Sequence, residues 1–339
     1  MSDTAPTTPE TPAPPPRKRR RWLKILLISV AVVVVGAVGA SAAYLFSIDK
    51  SITQSIKREN VLPSEDPNAP RPSVDPAATG AMNFVVLGSD SRDPGDSGAG
   101  RSDSIMVVHL NKTHDEAYIV SFPRDMWVDI PGHGQGKINA AFAYGGTQLM
   151  VQTLENLLGT RMDHVVMVDF EGFIKLTESL GGVTVKNKTA FSSHGFDYPK
   201  GEITIEGEKA LWFVRERKSL PEGDLDRAEN QRNVIKAIVA KGLSAEVLAD
   251  PGQFTAFVSG VAEHVTVDSS LSDQIIRDLA FSLRLQSSDI HLLQAPLSGF
   301  GTSPDGQSID VVDETRLAAL GKAMTSDTMA AYLEKYGDQ

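Results

Sequence analysis

The stretch that decides the fold class is Met82-Asn-Phe-Val-Val-Leu87, which leads into Gly88. A short apolar run of this kind, ended by a glycine, is typical of a buried β-strand. Two further apolar runs follow at 104–110 and 117–121, and the polar residues 111–115 separate them as a turn. The sequence therefore predicts three consecutive strands of one sheet.

Beyond these strands, segments with helical periodicity alternate with further apolar runs. Glycines mark helix ends at Gly145-Gly146, Gly159 and Gly181-Gly182. The predicted helices span 138–144, 147–158, 170–180, 207–217 and 226–243, with two more near 272–285 and 313–323. Further strands are predicted at 164–169, from 182 onward, and near 290–295 and 308–312. This alternation predicts an α/β fold, with a central mixed β-sheet flanked by helices in an α/β/α sandwich.

The residues before the first strand have a different character. Residues 25–46 contain no charged side chain, and a helix of that length spans about 30 Å of hydrocarbon. The cations of Arg17-Lys-Arg-Arg-Arg21 precede this run, and such cations stay on the cytoplasmic side. We predict a disordered cytoplasmic tail at 1–21, a transmembrane helix at 22–47, a proline-rich linker at 48–80 and an extracytoplasmic domain at 81–330.

A cleaved signal peptide is the alternative to this anchor, because Ala40-Ser41-Ala42 resembles a cleavage site. The apolar stretch is longer than the roughly 7–15 residues of a signal-peptide core. This length favours a single-pass protein of the cell membrane with its N-terminus in the cytoplasm. Both alternatives place most of the chain outside the cytoplasm.

Composition excludes several classes of function. The chain has no cysteine, which rules out disulfides, thiolate metal sites and a cysteine nucleophile. Its net charge is −10, divided into +4 for residues 1–50 and −14 for the rest. An acidic domain is a poor nucleic-acid binder, so we expect no nucleic-acid partner.

The segment 132–137 resembles a phosphate loop, but Ile138 stands where Ser or Thr would hold magnesium. The sequence therefore does not predict a phosphate loop here.

Aspartates and arginines recur at the ends of the predicted strands and helices. They are Asp90 and Arg92 after the first strand, Arg101 and Asp103 before the second, Arg124 and Asp125 after the third, Arg215 and Arg217 at the end of a helix, and Asp224, Arg227 and Gln231 at the start of the next. Strand ends are where α/β proteins place their sites. Solvated surface salt bridges are the alternative explanation for each single pair.

The two residue types have complementary chemistry. Arginine binds phosphate oxygens bidentately and stays charged, so several around one site indicate a ligand with more than one negative charge. Carboxylates beside a phosphate site usually hold magnesium. The combination is typical of phosphoryl or phosphosugar transfer, and outside the cytoplasm a phosphorylated substrate is expected to be lipid-linked.

The chain resembles the LytR-CpsA-Psr family, the cell-wall glycopolymer ligases of Gram-positive bacteria, over about residues 80–244. The resemblance rests on eight blocks in order: Gly88-Ser-Asp90-Ser-Arg92, Arg101-Ser-Asp103-Ser, Ser121-Phe-Pro-Arg124-Asp125, Lys137-Ile-Asn139-Ala-Ala, Val168-Asp169-Phe170, Leu180-Gly-Gly-Val183, Leu211-Trp-Phe-Val-Arg215-Glu-Arg217, and Gly223-Asp224-Leu-Asp226-Arg227 with Gln231.

This resemblance implies a magnesium-dependent phosphotransferase. It would attach a phosphate-linked glycopolymer (teichoic acid, arabinogalactan or capsule-like) from a polyprenyl-pyrophosphate carrier to peptidoglycan. Mg²⁺ would sit at Asp90 and Asp103, and the diphosphate at Arg124, Arg215, Arg217, Arg227 and Gln231. The implied catalytic set adds Arg92, Arg101, Asp125 and Asp224, with Asp90, to those five. A prenyl tunnel could be lined by Val166, Val168, Phe173, Ile174 and Val234, which are equally good core residues.

Three questions stay open in the sequence. The family often has Arg-Gln where this chain has Asn230-Gln231, followed by Arg232. The charge has either moved by two positions or been lost from the site. The same site could also hydrolyse polyprenyl pyrophosphate with water, and a non-enzymatic membrane-bound regulator of envelope synthesis is the remaining alternative.

Overall fold

The computed structural model describes residues 56–65, 70–89, 102–242, 244, 247, 250, 252, 255, 259 and 262–337. All of them belong to the compact unit Ile48–Gln339. The predicted tail at 1–21 and transmembrane helix at 22–47 lie outside the described residues. Within the described part of the chain, no helix has the length and apolarity needed to cross a membrane.

The described strands and helices follow one another in the alternating order that the sequence predicts. The strands are β1 (Lys57–Glu59), β2 (Met82–Ser89), β3 (Ser102–Leu110), β4 (Ala117–Ser121), β5 (Trp127–Ile130), β6 (Gly134–Lys137), β7 (His164–Asp169), β8 (Val183–Asn187), β9 (Phe191–Ser193), β10 (Phe196–Tyr198), β11 (Gly201–Ile205), β12 (Val265–Asp268), β13 (Ile290–Gln294), β14 (Leu297–Thr302) and β15 (Ser308–Val312). The helices are α1 (Ile138–Leu158), α2 (Phe170–Ser179), α3 (Gly207–Arg215), α4 (Asp224–Gly242), α5 (Asp273–Ser282), α6 (Glu314–Thr325) and α7 (Met329–Tyr336).

The central sheet is mixed, as predicted. Among the described residues, its order is β1-β12-β7-β2-β3-β4-β13. Strand β2 pairs antiparallel with β3 and parallel with β7, and β3 pairs antiparallel with β4. The three consecutive strands of the first apolar runs therefore lie side by side, with the end of β2 next to the start of β3.

Helices cover both faces of this sheet because successive strand residues point to opposite sides. Val85 and Leu87 belong to the main core, which they share with Met150 and Leu154 of α1. On the opposite face, Met106 packs with Val86 and with residues of α4. Helix α1 is kinked at Gly145 and Gly146, whose backbone angles are not helical. The predicted break between two helices at these glycines is therefore confirmed.

A smaller second core lies beside the sheet. It joins α2, α3 and α4 to the paired strands β8 and β11, with Phe213 and Val234 fully buried at its centre. The short strands β5, β6, β9, β10, β11, β12 and β14 are not predicted from the sequence, because none of them contains three consecutive apolar residues like the run of β4. This small core holds three helices above one face of the sheet.

The predicted linker at 48–80 needs correction in its described part. Strand β1 pairs with the edge strand β12, and Val61 is buried in the main core. Arg71 reaches the buried carboxylate of Glu155, with 2.7 Å between Nη2 and Oε1. The described linker residues contact the domain through one short strand, one buried side chain and one ion pair. Because they form no periodic apolar face, the sequence pattern does not predict these contacts.

Candidate active site

An apolar cavity lies between the sheet and the three helices of the second core. It encloses about 1120 Å³ including its open mouth. Its floor includes Val86, Met106 and Val168 of the sheet, and its other walls carry Phe173, Leu176, Leu211, Val214 and Ile235 of α2, α3 and α4. Gly88 faces Ser104 across β2 and β3 so closely that a Cβ at residue 88 would lie 3.0 Å from that of Ser104. Two small residues at this point keep the end of the cavity open.

The five residues predicted to bind a diphosphate all line this cavity, although they come from three separate segments. Arg124 follows β4, Arg215 is the last residue of α3 and Arg217 follows it, and Arg227 and Gln231 lie on α4. Arg227, Gln231 and Ile235 are spaced by four residues, which places them on one face of the helix. An apolar interior with a cationic mouth is the arrangement that fits a lipid with a phosphorylated head.

Asp224 draws two of these arginines together. Its Oδ1 lies 3.4 Å from Nε of Arg124 and 2.8 Å from Nη2 of Arg227. Because it neutralises one charge, the two guanidinium groups can lie close to each other without strong repulsion. Asp224 is therefore a residue that positions arginines.

Arg215 is held by aromatic rings. The guanidinium carbon of Arg215 lies 4.3 Å from the centroid of the Phe170 ring and 5.1 Å from that of Trp212, a cation–π arrangement that leaves its hydrogen-bond donors available. Gln231 donates from Nε2 to the carbonyl oxygen of Val214 at 3.2 Å. This bond ties α4 to the segment that carries Arg215 and Arg217.

A group of carboxylates lies next to Arg124. Asp125 forms an ion pair with Lys137, with 2.8 Å between Nζ of the lysine and Oδ1 of the aspartate. Its carbonyl oxygen accepts the backbone N–H of Asp310 at 3.0 Å. Asp310 is only 8% exposed, and burial together with the negative charges of Asp125 and Asp224 raises its pKa to about 6. Sequence analysis missed Asp310, for which the one available signal was a carboxylate inside the predicted strand at 308–312.

Two of the five residues predicted to contact a lipid line the cavity. Val168 and Phe173 line the cavity, whereas Val166, Ile174 and Val234 do not. Val166 packs with Val265 and Val267 instead. Val234 lies in the second core, because it is turned about 100° around the axis of α4 from its neighbour Ile235, which faces the cavity. Val234 thus belongs to the apolar stripe of α4 that faces the second core and not to the stripe that faces the cavity.

The arginine at position 232 does not replace the charge missing at 230. Arg232 is buried and donates from Nη1 to Oγ of Ser121, the last residue of β4, and it is not among the cavity-lining residues. Burial lowers its pKa to about 10. Of the two alternatives, the structure supports the loss of one cation from this site, since Arg232 does not line the cavity.

The predicted magnesium residues lie at the edge of what the structure describes. Asp90, Arg92 and Arg101 are outside the described residues, and Asp103 is described only as part of β3. Gly88 pairs with Ser104 and Ser89 with Ser102, so residue 103 is the extra residue of a β-bulge beside the end of β2. The backbone of residue 103 therefore lies beside the end of β2. Elsewhere in the described chain, no group of three or more His, Asp or Glu residues could hold a metal ion.

Comparisons with known proteins identify the family of the chain. The model of the LytR_cpsA_psr family matches residues 44–326. The polyisoprenyl-teichoic acid–peptidoglycan teichoic acid transferase TagU of Bacillus subtilis (strain 168) is 33% identical over 288 residues, covering 84% of this chain and 86% of that protein. The crystal structure of B. subtilis TagV matches with a TM-score of 0.63 and 28% identity, covering 73% of this chain and 97% of that one.

A structure of TagT bound to LI-WTA is also similar, with a TM-score of 0.59 and 27% identity over 76% of this chain and 95% of that one. The family model covers most of the chain, and the match to TagU extends over most of both proteins. The chain therefore belongs to the LytR_cpsA_psr family.

Proposed function

We propose that this protein transfers a phosphate-linked glycopolymer from a polyprenyl-pyrophosphate carrier to peptidoglycan. The observation that carries the proposal is an apolar cavity with Arg124, Arg215, Arg217 and Arg227 in its lining. The name of the relative TagU supports it, since that protein is a polyisoprenyl-teichoic acid–peptidoglycan teichoic acid transferase. The similarity of the fold to the structure of TagT bound to LI-WTA supports it as well.

The two halves of the donor match the two halves of the cavity. Burial of prenyl carbons against Met106, Val168 and Phe173 contributes about 25 cal/mol for each Å² removed from water. The positive charges of the arginines neutralise the diphosphate before and during the reaction. A soluble sugar diphosphate would leave the apolar walls exposed to water, which is why a lipid-linked donor fits better.

The transfer exchanges one phosphorus–oxygen bond for another. A hydroxyl oxygen of the acceptor bonds to the phosphorus that carries the glycopolymer, and the bond from that phosphorus to the bridging oxygen breaks. Polyprenyl monophosphate leaves, and the hydroxyl proton passes to a nearby carboxylate or to water. Negative charge grows on the bridging oxygen, and Arg124 and Arg227 are held by Asp224 where they can stabilise it.

Magnesium completes the proposed site. Asp90 and Asp103 are the residues that would hold it, with Arg92 and Arg101 nearby in sequence. When bound, the ion neutralises phosphate charge and keeps most of its waters. The domain would act at the outer surface of the cell membrane, attached by the helix at 22–47.

A reconstituted reaction tests the proposal. The full-length protein in detergent is mixed with a synthetic polyprenyl-pyrophosphate saccharide and peptidoglycan oligosaccharides. We expect the saccharide on the acceptor, with one polyprenyl phosphate released for each transfer. Release that does not depend on the acceptor would indicate a hydrolase, and no turnover of the donor under any condition would contradict the proposal.

The metal is tested separately by calorimetry. Two carboxylates alone are a weak magnesium site, and diphosphate oxygens would complete its octahedral shell. Magnesium affinity should therefore rise at least tenfold when a prenyl diphosphate is present, and Asp90→Asn should remove that gain. Equal affinities with and without the lipid would place the metal outside the mechanism.

A further inference from the structure

A second groove lies on the other side of Arg124. It encloses about 1070 Å³ including its open mouth, and Arg124 and Asp125 line it. The remaining wall comes from β5, β6, the first turns of α1 and the turn between β14 and β15, through Trp127, Lys137, Asn139 and Gln307 among others. Arg124 thus belongs to the linings of both the apolar cavity and this polar groove.

The charges of the groove balance. Among its described lining residues, Asp125 and Asp305 oppose Arg124 and Lys137, and Asp125 is already in contact with Lys137 at 2.8 Å. A polyanion would need a net positive surface, as the apolar cavity has at its mouth. The balance in the groove instead suits a ligand with little net charge.

The uncharged residues of the groove indicate what kind of ligand fits. Gln135, Asn139 and Gln307 carry amides, which both donate and accept hydrogen bonds. Trp127 donates from Nε1 to Oε1 of Gln135 at 3.0 Å, which fixes its indole in the wall. Tyr144 is 59% exposed, and its ring is stacked on His133 at a centroid distance of 4.7 Å. Amides together with fixed aromatic faces match a saccharide, whose hydroxyls are polar and whose ring faces are apolar.

The groove is rigidly joined to the segment that carries Arg124. The backbone N–H of Ile138 donates to the carbonyl oxygen of Met126 at 2.8 Å, and that of Asn139 donates to the carbonyl oxygen of Arg124 at 3.3 Å. The start of α1 is therefore fixed against the turn after β4. A saccharide bound along Tyr144 and Asn139 would extend toward Arg124.

We propose that this groove binds the acceptor glycan strand, a chain of sugars bearing hydroxyl and acetamido groups, and directs one of its hydroxyls toward the diphosphate at Arg124. This inference rests on the proposed function, because it assigns the second substrate of that reaction. The donor's own saccharide shares part of this chemistry. The charge balance favours the acceptor, since a phosphate-rich polymer would gain little from a groove without excess cations.

Transfer kinetics with the full-length protein test the assignment. Tyr144→Ala removes an exposed ring, and Asn139→Ala removes a half-buried amide, so neither change opens a large hole in the core. We expect the KM for peptidoglycan oligosaccharides to rise at least fivefold in each variant, while the KM for the donor stays within twofold. Gln274→Ala, which removes an exposed amide of α5, is the matched control and should change neither value.

The outcomes separate this inference from the function on which it rests. Transfer by the wild type with unchanged acceptor KM in both variants would overturn the groove assignment, and a rise confined to the donor KM would assign the groove to the donor's saccharide. A peptidoglycan tetrasaccharide titrated into the protein without donor gives an independent measurement. If Tyr144→Ala did not weaken binding of the tetrasaccharide, the groove would not be the acceptor site. This conclusion would hold even if no transfer could be observed.

Discussion

The apolar cavity and the polar groove share Arg124 but differ in almost everything else. The cavity is formed where three helices stand above the sheet, and its walls are apolar with arginines near the mouth. The groove is formed by short strands and turns, with amides, aromatic rings and balanced charges. The difference indicates two ligands of unlike chemistry that meet at one residue, which is what a two-substrate transfer requires.

The chain around Arg124 explains how one side chain can serve both regions. Phe122 is buried and donates its backbone N–H to the carbonyl oxygen of Ile105 at 2.8 Å, which fixes the turn to the sheet. Asp224 holds the guanidinium from the cavity side, and Asp125 lies 3.7 Å from its Nε. A side chain held from both sides loses little entropy when substrate binds.

Substitution of Arg124 should have the largest effect, because this side chain lines both the cavity and the groove. Arg124→Ala should lower kcat/KM by about 10²–10³-fold, the range for loss of a donor to a developing charge. Arg124→Lys should recover only part of this, since an amine cannot bind bidentately. Steady-state kinetics with both substrates varied provide the measurement. Arg161→Ala, which removes an arginine paired with Glu65 away from both linings, is the control, and equal kcat/KM in the two alanine variants would contradict the shared role.

Two neighbouring residues of α2 separate the cavity from the groove. Phe173 lines the cavity and Ile174 does not, so Phe173→Ala should weaken binding of a prenyl diphosphate about tenfold by removing apolar contact area. Ile174→Ala should change that affinity less than twofold. Calorimetric titration with the lipid measures both, and the acceptor KM should be unaffected. An equal loss in the two variants would mean that the lipid does not contact the wall formed by α2.

These residues also show how far sequence reasoning reaches. The apolar runs of β2, β3 and β4 are long enough to predict the strands, and all five proposed diphosphate residues line one cavity. Val234 was misassigned because α4 has two apolar stripes, and only packing shows that Ile235 faces the cavity. Asp310 and the groove could not be predicted, since they depend on a pairing between segments that lie far apart in the chain.

The smallest expected effect concerns the electrostatics of the wall between the two regions. Burial, together with the negative charges of Asp125 in the groove and of Asp224 beside the cavity, raises the pKa of Asp310 to about 6 from an ordinary value of 3.8. The folded state then binds its proton more tightly than the unfolded state does. The contribution of this group to stability is therefore most favourable below pH 4, is lost as the pH rises from 4 to 6, and stays unfavourable above that range.

Asp310→Asn should remove this dependence. The decrease in the free energy of unfolding between pH 4 and pH 7 should be smaller in the variant than in the wild type, by on the order of 2 kcal/mol. Denaturant unfolding followed by tryptophan fluorescence at several pH values measures it. Asp305, in the turn of the same hairpin, is the control of opposite sign, because the Ser303 hydroxyl and the Gln307 amide lower its pKa. Asp305→Asn should therefore remove a rise in stability that takes place mainly below pH 4, so it should alter the change between pH 4 and pH 7 only slightly and in the opposite direction. If both variants changed the pH dependence in the same direction, the pKa of Asp310 would not be raised in the folded protein, and the wall between the two regions would not hold a carboxyl of altered acidity.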